Sequence, residues 1–166
     1  YGLTETSPVT HVYNRSMSKT EKLGSVGPAV PNTENIIVDV DSGLPLGVNQ
    51  KGEVWTRGPQ VMKGYLNNPK ATKITIDEDG WLHTGDIGYV DAEGNFYIVD
   101  RLKELIKYKG YQVAPAELEA LLLNHPAVAD AAVIPVADEE AGEIPKAFVV
   151  KKQGSEVSED ELMAWV

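Results

Sequence analysis

Arg101, Lys103, Lys107 and Lys109 all fall within Asp100–Gln112 (DRLKELIKYKGYQ), in a chain whose formal net charge is -10. Cations gathered in one short segment of an acidic protein can draw an anion such as a phosphate. A second group is Tyr1 to Pro8 (YGLTETSP), rich in Gly, Thr and Ser. Such a loop can bring amides and hydroxyls to a phosphate, and the Glu5 carboxylate can ligate Mg²⁺ through oxygen. A third is Asp86, which directly follows Thr84-Gly85 at the start of a strand pattern. A carboxylate so placed can accept two hydrogen bonds from a vicinal diol. Each group also has a plain structural reading: an amphipathic strand for the basic segment, a surface turn for Tyr1–Pro8, and a turn aspartate accepting backbone N–H groups for Asp86. Taken singly, the first two favour the plain reading. His83 reads as a packed or surface histidine, and Trp81 as a core residue.

The elements that must position these groups are legible from pattern. Residues 9–31 are polar and irregular, punctuated by Gly24, Gly27, Pro28 and Pro31. Strands are expected over 35–41, with Ile36, Val38 and Val40 on one face, and over 53–57. A short helix is expected over 69–75, with Pro69 in its first turn. A turn over 77–80 precedes a hairpin of 86–91 and 95–99 about Asp91-Ala92-Glu93-Gly94. After the basic segment, Pro115 opens a helix whose apolar face is Leu118, Leu121 and Leu122 and which His125-Pro126 ends. Strands over 128–136 and 144–151, separated by the acidic loop 138–143, precede a helix from Ser158. The predicted fold class is α+β: a β-rich antiparallel unit over 1–101, then a small α+β unit over 102–166 with helices against one face of a three-stranded sheet.

Composition narrows the function classes. Hydrophobic residues make up 42% of the 166, enough for a packed core. The absence of cysteine excludes a disulfide scaffold and any thiolate metal site. The acidic balance argues against general nucleic-acid binding, and no apolar run is long enough to span a bilayer. The chain opens without an initiator Met, and the Ser158/Glu161 capping box starts a helix just before the last residue. Both features lead us to expect a piece of a longer polypeptide, truncated at both ends.

The succession YGLTE, GEVWTRGPQVMKGY, GWLHTGDIGYVD and YIVDRLKELIKYKGYQVAPAELE resembles the adenylate-forming superfamily. Within it, the chain is most similar to acyl- and aryl-CoA ligases of the 4-coumarate–CoA ligase type and to beetle luciferases. The resemblance runs from Tyr1 to about Val150. It implies a two-step reaction: a carboxylate attacks the α-phosphate of ATP to give acyl-AMP and pyrophosphate, then the coenzyme A thiol displaces AMP. It also implies a large domain, whose last subdomain would end near Arg101, and a small domain that rotates between the steps.

Residue by residue, the resemblance implies that Thr4 contacts nucleotide phosphate and that Glu5 helps hold Mg²⁺. Tyr1 and Gly2 would line the adenine and acyl pocket. Asp86 would take the ribose hydroxyls, and Arg101 would reach the same ribose. Lys103 would be the hinge, and Lys107 and Gln112 would approach the acyl-adenylate as catalytic residues. Lys109 and Gly110 would line the coenzyme A channel. The expected partners are a small carboxylic acid, ATP and coenzyme A, in a cytoplasmic or peroxisomal setting. The superfamily's phosphate-binding loop is expected before Tyr1 and its terminal adenylation lysine beyond Val166; Pro145-Lys146 is not that lysine's motif, since no Gly-Lys follows. The isolated chain is therefore expected to be inactive, and a binding module is the reading it retains on its own. A luciferase-type oxygenase or a carrier-loading adenylation domain would share the same motifs.

Overall fold

The computed structural model describes residues 1–13 and 22–166. Part of the irregular stretch expected over 9–31 thus lies outside the described residues. The chain divides into two compact units, Tyr1–Ile98 and Val99–Val166.

The first unit is built on an antiparallel sheet of order β1-β2-β3-β4. Its strands are β1 (Glu34–Val38), β2 (Gly52–Arg57), β3 (Leu82–Val90) and β4 (Phe96–Arg101), the last running on into the second unit. β2 shows why it is a strand: Val54 and Thr56 are fully buried while Glu53 and Trp55 face the other side. Ile37, Val54 and Phe96 form the core, with Val26, Leu46, Val90 and Ile98 packed around them. The helix α1 (Pro69–Thr75) occurs where its signals place it, since Asn68 accepts from Ala71 N–H at 3.1 Å and Pro69 fills the first turn.

The turn between β3 and β4 is closed by Asp91, whose Oδ1 accepts from the backbone N–H of Glu93 and of Asn95, each at 2.9 Å. Lys22 adds an ion pair to Asp91 at 3.3 Å. Burial alone would raise the Asp91 pKa. The donors from Asn95, Glu93 and Lys22 outweigh it and hold it down to about 2. Trp81, expected in the core, is instead half-buried and carries the Arg57 guanidinium 4.4 Å above its ring.

The second unit departs from expectation in its sheet, which has four strands in the order β6-β5-β8-β7 rather than three. The basic segment is not one strand. It begins in the last two residues of β4, passes through a 3₁₀ turn, Leu102–Glu104, then forms β5 (Ile106–Tyr108) and most of β6 (Tyr111–Val113). Lys109 and Gly110 between them have φ of 48° and 83°. Positive φ at both positions of a two-residue loop makes a tight hairpin turn matched to strand twist, and glycine adopts it without Cβ strain. β7 (Val128–Asp138) and β8 (Gly142–Lys151) complete the sheet.

The helix α2 (Pro115–Leu123) packs on it through Leu122, only 3% exposed, and Leu118. Leu121 was expected on that face but is 43% exposed, because the core-facing row is the i, i+4 pair alone. Ala114 cannot cap α2 with its side chain. The Asp100 carboxylate does so from outside, accepting from Ala116 N–H at 3.0 Å at the positive end of the helix dipole. The helix α3 (Glu159–Trp165) has the Ser158/Glu161 capping box and places Leu162 against the core of Ile106, Leu122 and Val133.

Candidate active site

In the first unit the site is assembled from three segments far apart in sequence. Residues 1–11 fold back on themselves: the Tyr1 carbonyl accepts from Thr10 N–H and His11 N–H, each at 3.1 Å. The reversal is a 3₁₀ turn over Thr4–Thr6. Thr6 is fully buried, and its hydroxyl donates to the Leu3 carbonyl at 2.9 Å and accepts from Leu3 N–H at 3.0 Å. Thr6 thus holds the turn, which leaves Thr4 at the exposed surface. Gly2 has a steric reason of its own: a Cβ there would collide with the Pro8 carbonyl and with Val9 Cα.

Asp86 reaches this turn through an irregularity in the sheet. Glu53 pairs with Ile87, and Trp55 with His83, so Thr84, Gly85 and Asp86 together oppose Val54. A bulge of this kind bends the strand and re-aims the side chains that follow. It is pinned at each residue. Thr84 Oγ1 donates to the Val54 carbonyl at 2.6 Å, Gly85 N–H donates to Glu53 Oε1 at 2.8 Å, and Asp86 N–H donates to Thr84 Oγ1 at 3.1 Å. Gly85 sits at φ 71°, which favours glycine. Asp86, 8% exposed, accepts a hydrogen bond from the Tyr1 hydroxyl on Oδ2. Beyond the bulge, the rings of Trp55 and His83 stack at 3.8 Å, which accounts for His83 as packing.

Glu5 is held by the third segment. Its carbonyl accepts from Met62 N–H at 2.8 Å, and its Oε1 accepts from the Tyr65 hydroxyl at 2.7 Å. The Glu5 carboxylate holds the phenol proton and raises the Tyr65 pKa, with burial adding to the shift. Tyr65 is itself fixed by its N–H bond to Thr72 Oγ1 of α1 at 2.9 Å. Beneath the turn lies His11, fully buried between Tyr1 and Phe96, with ring centroids at 5.7 Å and 4.5 Å. Burial pushes its pKa down to about 4, so the imidazole is neutral at pH 7.

In the second unit, the β5–β6 register places Lys107 directly opposite Gln112. Cross-strand partners project from the same face with their Cβ atoms about 5 Å apart. The two side chains are exposed together, while Ile106 on the opposite face is fully buried. Lys109 and Gly110 form the tip between them. Arg101 ends β4, its N–H bonded to Asp100 Oδ1 at 2.7 Å, and Lys103 is exposed in the 3₁₀ turn that follows. The structure therefore brings together Tyr1 with Asp86, and Lys107 with Gln112. Three contributors had not been singled out from the sequence: Thr6, Tyr65 and Glu53.

The comparisons with known proteins agree with these motifs. Residues 1–66 match the model of the AMP-binding enzyme family, and 117–166 match that of the AMP-binding enzyme C-terminal domain. The chain belongs to the adenylate-forming, AMP-binding enzyme family. It is 58% identical along its full length to 4-coumarate:CoA ligase 1 of Petunia hybrida, and 57% to 4-coumarate–CoA ligase 3 of Oryza sativa subsp. japonica. It spans 31% and 30% of those two proteins. Among solved structures it resembles ATP-bound MatB from Rhodopseudomonas palustris, at 33% identity and TM-score 0.91 over 99% of this chain and 32% of that one. It also resembles o-succinylbenzoate CoA synthetase (MenE) from Bacillus subtilis in complex with the acyl-adenylate intermediate, at 39% identity and TM-score 0.84, over 99% of this chain and 33% of that one. Among the described residues, no helix is long and apolar enough to cross a membrane.

Proposed function

We propose that this chain belongs to an ATP-dependent carboxylate–CoA ligase that forms an acyl-adenylate and then an acyl-CoA thioester, with 4-coumarate or a related aryl acid as substrate. The observation that carries the reading is the 58% identity along the whole chain to a 4-coumarate:CoA ligase. The Tyr1–Asp86 and Lys107–Gln112 pairs supply the groups its two steps need. We assign the last subdomain of the nucleotide-binding domain to 1–101 and the small domain to 102–166, with Lys103 as the hinge between the two steps.

In the first step, Asp86 accepts hydrogen bonds from the ribose hydroxyls, and the Tyr1 hydroxyl orients its carboxylate. Arg101 supplies a second contact to the same ribose. The exposed Thr4 hydroxyl and the backbone at Gly2 meet the nucleotide from the 3₁₀ turn. Glu5 would hold Mg²⁺. One carboxylate fits this ion, which keeps several waters and shares substrate phosphates rather than filling an all-protein cage. No cluster of three or more His, Asp or Glu side chains among the described residues offers such a cage. When bound, Mg²⁺ neutralises charge that grows as pyrophosphate departs. In the second step, Lys107 and Gln112 approach the acyl-adenylate from one face of the hairpin, where a cation and an amide donor stabilise charge on the acyl oxygen and on AMP. Gly110 at the tip leaves room for the pantetheine arm beside the backbone.

The test is an assay of the two half-reactions in the protein that carries this chain. Lys107→Ala should leave ATP affinity within about twofold and slow thioester formation by roughly 100-fold, the scale for removal of one electrostatic donor. Unchanged thioester formation would contradict the assignment.

A further inference from the structure

The acidic stretch Asp138–Glu143, where the end of β7 turns back into the start of β8, has no part in the reaction as described, yet it is bonded to the hairpin that carries Lys107 and Gln112. Glu143 Oε2 accepts from the Lys107 backbone N–H at 2.8 Å. The Ala141 carbonyl accepts from Lys109 N–H at 2.9 Å, and Tyr108 pairs with Gly142 in the sheet. The stretch is itself folded by Asp138, whose Oδ1 accepts from Glu140 N–H at 3.0 Å and Ala141 N–H at 2.7 Å. Ala141 is 7% exposed, and Gly142 turns at φ 80°.

β5 and β6 are three residues each, and a two-stranded ribbon of that size is marginal in water. Its pose therefore depends on what β5 is bonded to on the side away from β6, which is the 141–143 segment. The Glu143 contact is charge-assisted and lands on the amide of the residue whose side chain acts, so a shift there moves the Lys107 Cα directly.

We propose that Glu143 is a positioning residue for the thioester-forming step: its carboxylate, with the Ala141 carbonyl, fixes the hairpin so that Lys107 and Gln112 meet the acyl-adenylate together. The proposal rests on the ligase reading and on the role given there to Lys107. It does not involve the first step, in whose ribose and phosphate contacts neither Glu143 nor the hairpin takes part.

The experiment uses the full-length protein and three substitutions. Glu143→Ala removes the acceptor, Glu143→Asp keeps the charge but withdraws it by one methylene, and Glu143→Gln keeps an oxygen at the same reach. Acid-dependent pyrophosphate exchange into ATP reads the first step, and transfer from preformed acyl-adenylate to coenzyme A reads the second. In Ala and Asp the second step should fall roughly 10-fold, the scale of one lost charge-assisted hydrogen bond, with the first within twofold. Gln should recover most of the loss.

A parallel fall of both steps, unrescued by Gln, would mean a structural role only and overturn the proposal. Lys107→Ala is run alongside, since its backbone N–H keeps the Glu143 bond. If Lys107→Ala leaves the second step intact, the reading of the hairpin falls and this proposal with it. If Lys107→Ala slows that step and the Glu143 variants do not, this proposal alone falls.

Discussion

Replacing Asp86 by Asn separates a ligand-binding carboxylate from a structural one. The amide keeps the shape of the side chain and one oxygen, to which the Tyr1 hydroxyl can still donate in place of the bond it now makes to Oδ2. What is lost is the negative charge and the second acceptor, at a site only 8% exposed, where an amide N–H₂ would face a donor. A hydrogen bond to a charged group contributes about 1.5–3 kcal/mol. Losing one of the two ribose contacts in kind should therefore weaken nucleotide binding about 10- to 100-fold, at 1.4 kcal/mol per tenfold. Calorimetric titration of the full-length protein with ATP, AMP and pyrophosphate is the assay. ATP and AMP share the ribose, so their dissociation constants should rise by the same factor. Pyrophosphate has no ribose, and its binding should not change. If ATP and AMP bind as before while the unfolding midpoint drops, Asp86 serves only to anchor Tyr1, and the ribose assignment is wrong.

Other consequences follow from the same geometry. Tyr65→Phe removes the donor to Glu5 Oε1, so at least about 10-fold more Mg²⁺ should be needed for half-maximal adenylation. Binding of metal-free ATP, followed by fluorescence quenching, should stay constant. Gly110→Ala meets no atom within 4 Å, so its cost is the φ of 83° alone, about 1–2 kcal/mol in urea unfolding. His11 titrates at about 4 when folded and at 6.5 when unfolded, so below pH 6.5 the unfolded chain binds the extra proton. Stability conferred by keeping it neutral is complete above pH 6.5 and is lost as pH falls toward 4. The loss should be about 2 kcal/mol between pH 6.5 and 5, read from urea midpoints, and a His11→Gln variant should show a flatter profile over that window.

Local rules carry far in this sequence and then stop at identifiable places. Asn68-Pro69 and Ser158 through Glu161 contain their own capping groups, so α1 and α3 begin where those residues stand. The Asp91–Gly94 turn likewise has its acceptor and its glycine within four residues. By contrast, the alternation through Leu102–Lys109 is continuous, and nothing in it shows that Lys109 and Gly110 will both take positive φ and break one strand into two. The bulge at Thr84–Asp86 depends on Glu53 across the sheet, so it is a property of register rather than of the Thr-Gly-Asp run. The site contacts are longer-range still. Tyr1 meets Asp86 across 85 positions and Glu5 meets Tyr65 across 60, and no periodicity encodes those pairings. Motif resemblance pointed to Asp86 as a ribose acceptor and to Lys107 and Gln112 as catalytic residues. It did not point to Thr6, Tyr65 or Glu143, whose part is to hold those groups or their neighbours in place.

The most direct measurement is product analysis of the full-length protein incubated with 4-coumarate, ATP, Mg²⁺ and coenzyme A. AMP, pyrophosphate and 4-coumaroyl-CoA should appear in equal amounts, with the acyl-adenylate accumulating when coenzyme A is left out. Release of ADP instead of AMP, or an acyl-adenylate that coenzyme A does not consume, would contradict the account.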